Sequence, residues 1–251
     1  HMKFLYALGL LAAVCAADLC ILRAARVMGD RDFRAVQETN ARMTWETALQ
    51  AAGEPGEKPA SSVQKEAKGF IALTFDDGPH GEDTARLLDG LAARGIKASF
   101  FLMGQSIPGQ EELVRRMKDE GHLIGSHSYG HTPLTELSGS EAAERLEETS
   151  RLIEEVTGEA PEYVRPPYGK WSDALEEQAD MTPVFWSVDS MDWKLKDRNR
   201  IVDRVLKDAG NGDIILMHDI FPQSVDAALE LADRLSGEGY VFVTVDEMLV
   251  D

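Results

Sequence analysis

Cysteine is almost absent from this chain. The 251 residues hold only Cys15 and Cys20, and none beyond. A disulfide framework or a cysteine-rich zinc site is therefore excluded from everything downstream of residue 20. A cysteine-free body suits an extracellular enzyme that needs no oxidative folding. Basic residues are scarce too, 26 Lys and Arg against 44 Asp and Glu, for a net charge of −18. Residues 1–69 carry 9 basic and 8 acidic side chains, which leaves 17 and 36 for the rest. A body this acidic repels phosphate backbones, so nucleic acid is not an expected partner. No internal repeat is visible.

The chain also lacks a long apolar run. Lys3 precedes an uncharged stretch, Phe4–Ala17, of 14 residues, short for a membrane span and suited to the core of an export signal. Val14-Cys15-Ala16 offers a small-residue cleavage pattern, and continuation past Asp18 to Leu22 would give an uncleaved anchor. Arg23, Arg26 and Arg31 follow on the side that the positive-inside rule disfavours for such an anchor. Neither cysteine sits in a lipidation context. Residues 1–22 are thus expected to be a signal peptide or membrane anchor, with His1 a cloning remnant. Residues 23–67 form a helical stalk and linker, the linker marked by Gly53-Glu54-Pro55-Gly56 and Pro59.

From residue 68 to 251 short apolar runs alternate with amphipathic helical stretches, the pattern of β/α units. Strands are expected at Phe70–Phe75, Ala98–Leu102, Leu123–Gly125, Tyr163–Val164, Val184–Val188, Asp213–Met217 and Tyr240–Val245. Helices are expected at Thr84–Arg94, Glu111–Glu120, from Ser138 to near Gly158 and at Ser224–Leu235. Ser138-Gly139-Ser140-Glu141 reads as a capping box. Seven units predict an α/β fold, a distorted or incomplete (β/α) barrel of about seven parallel strands, with an N-terminal helical extension. Chemistry in such barrels sits where strands end.

Polar clusters fall at five such ends: Thr74-Phe75-Asp76-Asp77-Gly78-Pro79, Ser126-His127-Ser128-Tyr129-Gly130-His131, Arg165-Pro166-Pro167-Tyr168-Gly169, Asp189-Ser190-Met191-Asp192-Trp193 and Leu216-Met217-His218-Asp219. His127 and His131 are four apart, so a helical turn or tight loop brings both imidazoles to one side. A carboxylate from another strand would complete three ligands and leave an open position, the mark of a catalytic metal site. Taken alone, the histidine pair fits two surface residues, and Asp76-Asp77-Gly78-Pro79 fits a plain turn. Their joint placement at strand ends favours the site. Two neighbouring carboxylates rarely share one task, so one would bind metal and the other act as base.

The five clusters, in order and over roughly residues 68–250, resemble the motifs of the polysaccharide deacetylase family (carbohydrate esterase family 4, the NodB homology domain). Val188–Lys194 and Ile215–Ile220 resemble most the subgroup acting on peptidoglycan N-acetylglucosamine. The resemblance implies Asp76 as general base and Asp77, His127 and His131 as ligands of one divalent metal. Zinc is the first choice and cobalt, manganese or iron the alternatives. Arg165 would orient Asp76, and Asp192 would orient His218, the general acid. Tyr168 would lend its backbone N–H to the oxyanion site. Trp193, Leu216, Pro166 and Tyr168 would contact substrate. The implied activity is hydrolysis of the N-acetyl group of peptidoglycan N-acetylglucosamine, by a monomer outside the cytoplasm, secreted or held at the cell surface. Alternatives are a chitooligosaccharide N-deacetylase, an acetylxylan O-deacetylase or a non-enzymatic carbohydrate-binding relative. Gly130 and Phe221 depart from the usual pattern without removing a site residue. His122, at the opposite end of its strand, reads as structural, His80 as an exposed loop residue and Trp186 as core. Trp171 divides evenly between pocket and packing.

Overall fold

A computed structural model of the chain describes residues 67–177 and 179–249, which belong to one compact unit. The apolar segment, stalk and linker expected at 1–22 and 23–67 lie outside these residues, save for Ala67. No helix among the described residues is long and apolar enough to cross a membrane.

The strands are β1 (Gly69–Asp76), β2 (Ser99–Leu102), β3 (Leu123–Ser126), β4 (Tyr163–Val164), β5 (Thr182–Pro183), β6 (Val188–Asp189), β7 (Asp213–His218) and β8 (Tyr240–Phe242). The helices are α1 (Gly81–Ala92), α2 (Glu111–Asp119), α3 (Gly139–Thr157), α4 (Asp173–Glu176), α5 (Asp192–Leu195), α6 (Arg198–Asp208), α7 (Pro222–Glu238) and α8 (Val245–Leu249). Every strand pairing is parallel. Seven strands run in the order β5-β4-β3-β2-β1-β7-β6, and β8 pairs with the start of β1.

That order forces curvature. The outermost strands, β5 and β6, are consecutive in the chain, with Pro183 and Val188 five steps apart. Five steps reach at most about 18 Å. Seven flat strands would set the edges about 29 Å apart at their usual spacing. The sheet must therefore curl into a barrel, closed between β5 and β6 by the chain itself. Val184 N–H bonds Val164 on one side of this crossing and Ser187 N–H bonds Ile214 on the other. This is why the strand expected at Val184–Val188 is absent: its middle residues cross the gap instead of pairing. Likewise the strand expected to reach Val245 ends at Phe242, and Val245 opens α8.

Alternation along each strand sorts the side chains. Ile71, Leu73, Phe75, Phe100, Leu102, Ile215 and Met217 join the main core with Leu87, Leu88 and Leu91 of α1 and the buried face of α7. Each fully buried leucine contributes about 2 kcal/mol. Ala72, Phe101, Val184 and Ile214 form a second cluster. The Ser138–Glu141 capping box is formed, and α3 stops at Gly158, whose φ is 79°. α7 runs past the expected end at Leu235 to the left-handed Gly239.

Candidate active site

The parallel register places the reactive groups. Thr74 lies opposite Leu216, and Asp76 opposite His218. Side chains two apart on a strand share a face, so all four project together. Beyond the strand ends the backbone is forced. Among the described residues, six non-glycine residues have positive φ: Asp77, Ser128, His131, Tyr168, Met191 and Lys196. The first five are expected site residues or adjoin one. Such conformations cost energy and persist where surrounding structure imposes them.

Asp77, His127 and His131 each offer one ligand atom, and these atoms lie within 4.8 Å of one another. Asp77 Oδ1 is 3.5 Å from His127 Nε2 and 3.8 Å from His131 Nε2. Ligands about 2.1 Å from a tetrahedral metal are about 3.4 Å apart, so a small cation fits with slight tightening. Asp77 Oδ1 is buried and has no hydrogen-bond partner. His127 Nδ1 is 2.6 Å from the Arg165 carbonyl, an acceptor only, so Nδ1 carries the proton. The lone pair of the neutral ring is then on Nε2, facing Asp77, as a metal ligand requires. Burial, foremost, lowers the pKa of His131, which favours the neutral ring that a metal ligand needs.

Asp76 is buried beside this cluster and receives Arg165 Nη1–H at 3.0 Å. Arg165 is wholly buried. Its Nη1 also reaches Thr74 Oγ1, 2.5 Å away, while Thr74 donates to the Ile215 carbonyl. Nε and Nη2 donate to the carbonyls of Val184 and Phe185, in the segment that closes the barrel. One guanidinium thus satisfies the crossing and holds Asp76. Burial lowers its pKa, opposed by Asp76. The guanidinium sits over the Phe101 ring, 4.2 Å from the centroid. Phe101 in turn needs Gly125, where a Cβ would lie 2.6 Å from the ring.

On the other side, Asp192 Oδ1 accepts from His218 Nδ1 and Oδ2 from His218 N–H, both at 2.7 Å. Trp193 N–H also donates to Oδ1. Burial opposes a charge on His218, but the hydrogen bond and charge of Asp192, then Asp76 and Asp77, outweigh it and push the imidazole up to about 9. For Asp192 burial likewise raises the pKa, and the bond from His218 overcomes it. His218 Nε2 faces Asp77 Oδ2 at 3.9 Å, next to Asp76 in the β1–β7 register.

Tyr168 is exposed, its ring edge-on to His131 at 4.5 Å between centroids. Trp193 is exposed beside Asp192, while Leu216 and Pro166 are buried. His122 accepts the Ala98 N–H and packs edge-on to Phe100, a structural role. His80 is exposed. Trp171 packs in a third apolar cluster and bonds Glu176, which assigns it to packing. Thr74, Phe101, Gly125 and Asp219 belong to the site's support but were not singled out by sequence. Thr74 had a signal: it precedes Asp76 by two and so shares its face.

This arrangement has known counterparts. A polysaccharide deacetylase family model matches residues 64–184. The peptidoglycan-N-acetylmuramic acid deacetylase PdaC of Bacillus subtilis is 43% identical over 194 residues, 77% of this chain and 41% of that protein. The present chain thus spans less than half of that relative's length. A peptidoglycan-N-acetylglucosamine deacetylase of Bacillus cereus is 36% identical over 209 residues, 76% of this chain and 74% of the relative. The solved structure of Bacillus subtilis PdaC aligns with a TM-score of 0.71, covering 73% of this chain and 90% of that one. A curled parallel barrel with its polar clusters in this order, together with these relatives, makes the chain a member of the polysaccharide deacetylase family.

Proposed function

We propose that this chain hydrolyses the N-acetyl group of N-acetylglucosamine residues in peptidoglycan, releasing acetate and leaving a free amine. What supports the reading is that two oppositely charged pairs, Asp76 held by Arg165 and His218 held by Asp192, both reach the three side chains Asp77, His127 and His131 that could hold a metal.

Asp77, His127 and His131 would hold one divalent cation, with zinc preferred for this ligand set. When bound, such a cation supplies Lewis acidity that polarises the amide carbonyl and acidifies a water. Asp76 accepts the proton of the attacking water. The Tyr168 N–H donates to the developing oxyanion. The amine is a poor leaving group and departs only when protonated, and His218 delivers that proton from Nε2. Asp192 binds Nδ1 and keeps Nε2 directed at the substrate. Trp193, Leu216 and Pro166 would line the acetyl pocket. The activity belongs outside the cytoplasm, where peptidoglycan is found, and residues 1–22 would export or anchor the chain.

A second reading, N-acetylmuramic acid as the acetylated sugar, is favoured by the relative at 43% identity that carries that name. The test is acetate release, with zinc, cobalt or manganese restored after chelation, from peptidoglycan, chitin oligomers and acetylxylan. Sugar analysis of the digested peptidoglycan separates glucosamine from muramic acid. Tight glycan binding without acetate release under any metal would refute the enzymatic reading.

A further inference from the structure

Asp219 is fully buried next to the site, and the reaction above gives it no task. It follows His218 at the end of β7. Its Oδ2 accepts the hydroxyl of Thr84, on α1, at 2.5 Å. Thr84 Oγ1 in turn accepts the His80 N–H at 2.7 Å. Asp219 Oδ1 has no hydrogen-bond partner. The carboxylate lies against Gly78, where an added Cβ would stand 2.4 Å from both oxygens. Gly78 has no positive φ, so the position is small to admit Asp219 rather than to permit its backbone.

The turn touched by this carboxylate carries Asp77, whose φ is 75°. From the β2 side Met103 N–H bonds the Gly78 carbonyl at 3.1 Å, and Ser106 bonds the Asp77 carbonyl at 3.3 Å. From the β7 side Asp219 bears on Gly78 directly and on His80 through Thr84. A buried carboxylate with an unmet oxygen is costly, and a neutral side chain would fill the space more cheaply. Its placement has a use, because it links the residue after His218 to the residue after Asp77.

We propose that Asp219 is a positioning residue, clamping the Asp77–His80 turn through Gly78 and Thr84 and so fixing the metal-ligating carboxylate relative to His218. This rests on the deacetylase reading for its kinetic consequence, but not for its effect on metal binding.

The test compares Asp219→Asn, Asp219→Ala and Thr84→Val in the full chain. Measurements are thermal unfolding, zinc affinity by chelator competition, and kcat and KM for acetate release from N-acetylglucosamine oligomers. Outer-shell partners of metal sites typically change affinity or activity by about 10–100-fold. Asp219→Ala should weaken zinc by about tenfold or more and lower kcat by about 10–100-fold, with KM within about threefold. Asn keeps the shape and an acceptor for Thr84, so it should recover most of both losses. Thr84→Val should show the same pattern in weaker form. Folded Asp219→Ala with wild-type zinc affinity and kcat overturns the proposal, as does a loss confined to KM or an Asn variant no better than Ala. If Asp219→Ala does not fold, isosteric Thr84→Val decides, and wild-type behaviour there overturns it. If the unmodified protein releases no acetate, the deacetylase reading fails, and the zinc affinities still judge the clamp.

Discussion

Replacing Asp192 by Asn should move the basic limb of the pH–rate profile to lower pH by up to about two units. His218 stands at about 9 in place of 6.5, a shift worth about 3 kcal/mol. Of the groups that raise it, Asp192 leads, and Asp76 and Asp77 follow. A cation on Asp77 offsets the lesser contributions, so the limb of the metal-loaded protein should fall somewhat below 9, with Asp192 still setting it. The direction follows from the role: an acid works only while protonated, so turnover falls as pH rises through the His218 pKa. At about pH 7.5 a group with a pKa of 9 is protonated about 30:1. Without Asp192 the leading hydrogen bond and charge are gone, burial still lowers the pKa, and only Asp76 and Asp77 oppose it. A full return to the ordinary 6.5 would leave the ring protonated about 1:10 at that pH, so kcat should drop by up to about tenfold from protonation alone. Lost orientation adds to this, since Asn cannot accept on both of its terminal atoms while Asp192 accepts from both the ring and backbone N–H of His218. Near pH 5.5 both proteins are protonated, and only the orientation loss should remain. The assay is acetate release from N-acetylglucosamine oligomers at saturating substrate across about pH 5–10 with metal content held constant. A basic limb that stays in place in the variant would refute His218 as the acid.

Other perturbations read other parts of the site. Asp76→Asn should abolish turnover and retain zinc, while Asp77→Asn should lose zinc, both read as metal per chain after gel filtration; the reverse pattern would mean the two aspartates have exchanged roles. Arg165→Met should destabilise by about 3–5 kcal/mol in urea unfolding, because it leaves Asp76 buried and the carbonyls of Val184 and Phe185 unmet. A loss below about 1 kcal/mol would contradict the closing role given to this guanidinium. Gly125→Ala should cost about 1–3 kcal/mol by displacing Phe101, and should lower kcat through Arg165; unchanged kcat would separate Phe101 from the site.

Sequence periodicity located most strands and the helices α1, α2, α3 and α7 because burial on one face leaves a regular signature, but it passed over α6, whose Ile201, Val202 and Val205 are buried among charged neighbours. It misplaced Val184–Val188 because apolar content alone does not distinguish a paired strand from a segment crossing a barrel seam. The pairing order decides that, and order is a long-range property. That Asp77, His127 and His131 come together was legible because the polar clusters fall at strand ends. Their supports were not. Gly125 is informative only once Phe101 is known to lie across it, and Thr74 only once Arg165 is known to reach both it and Asp76. Asp219 was visible beside His218, but nothing local says that its carboxylate turns inward, against a glycine 141 positions earlier.

The fold uses the same kind of pairing twice, with the charges exchanged. Asp76 is a buried anion with a buried cation, Arg165, behind it, and His218 is a cation with a buried anion, Asp192, behind it. In each pair the inner partner is wholly inaccessible, and the outer one faces the Asp77 cluster. Proton acceptor and proton donor are therefore distinguished by the partner each is given, as a reaction that takes a proton from water and delivers one to an amine requires. The β1–β7 register alone would place two polar side chains side by side at equivalent depth. The partners that would make one a base and the other an acid in the proposed reaction come from farther away: Arg165 follows β4, and Asp192 opens α5 after β6. Both lie in the part of the chain that flanks the barrel seam, so closure of the barrel and division of labour in the site depend on the same segment.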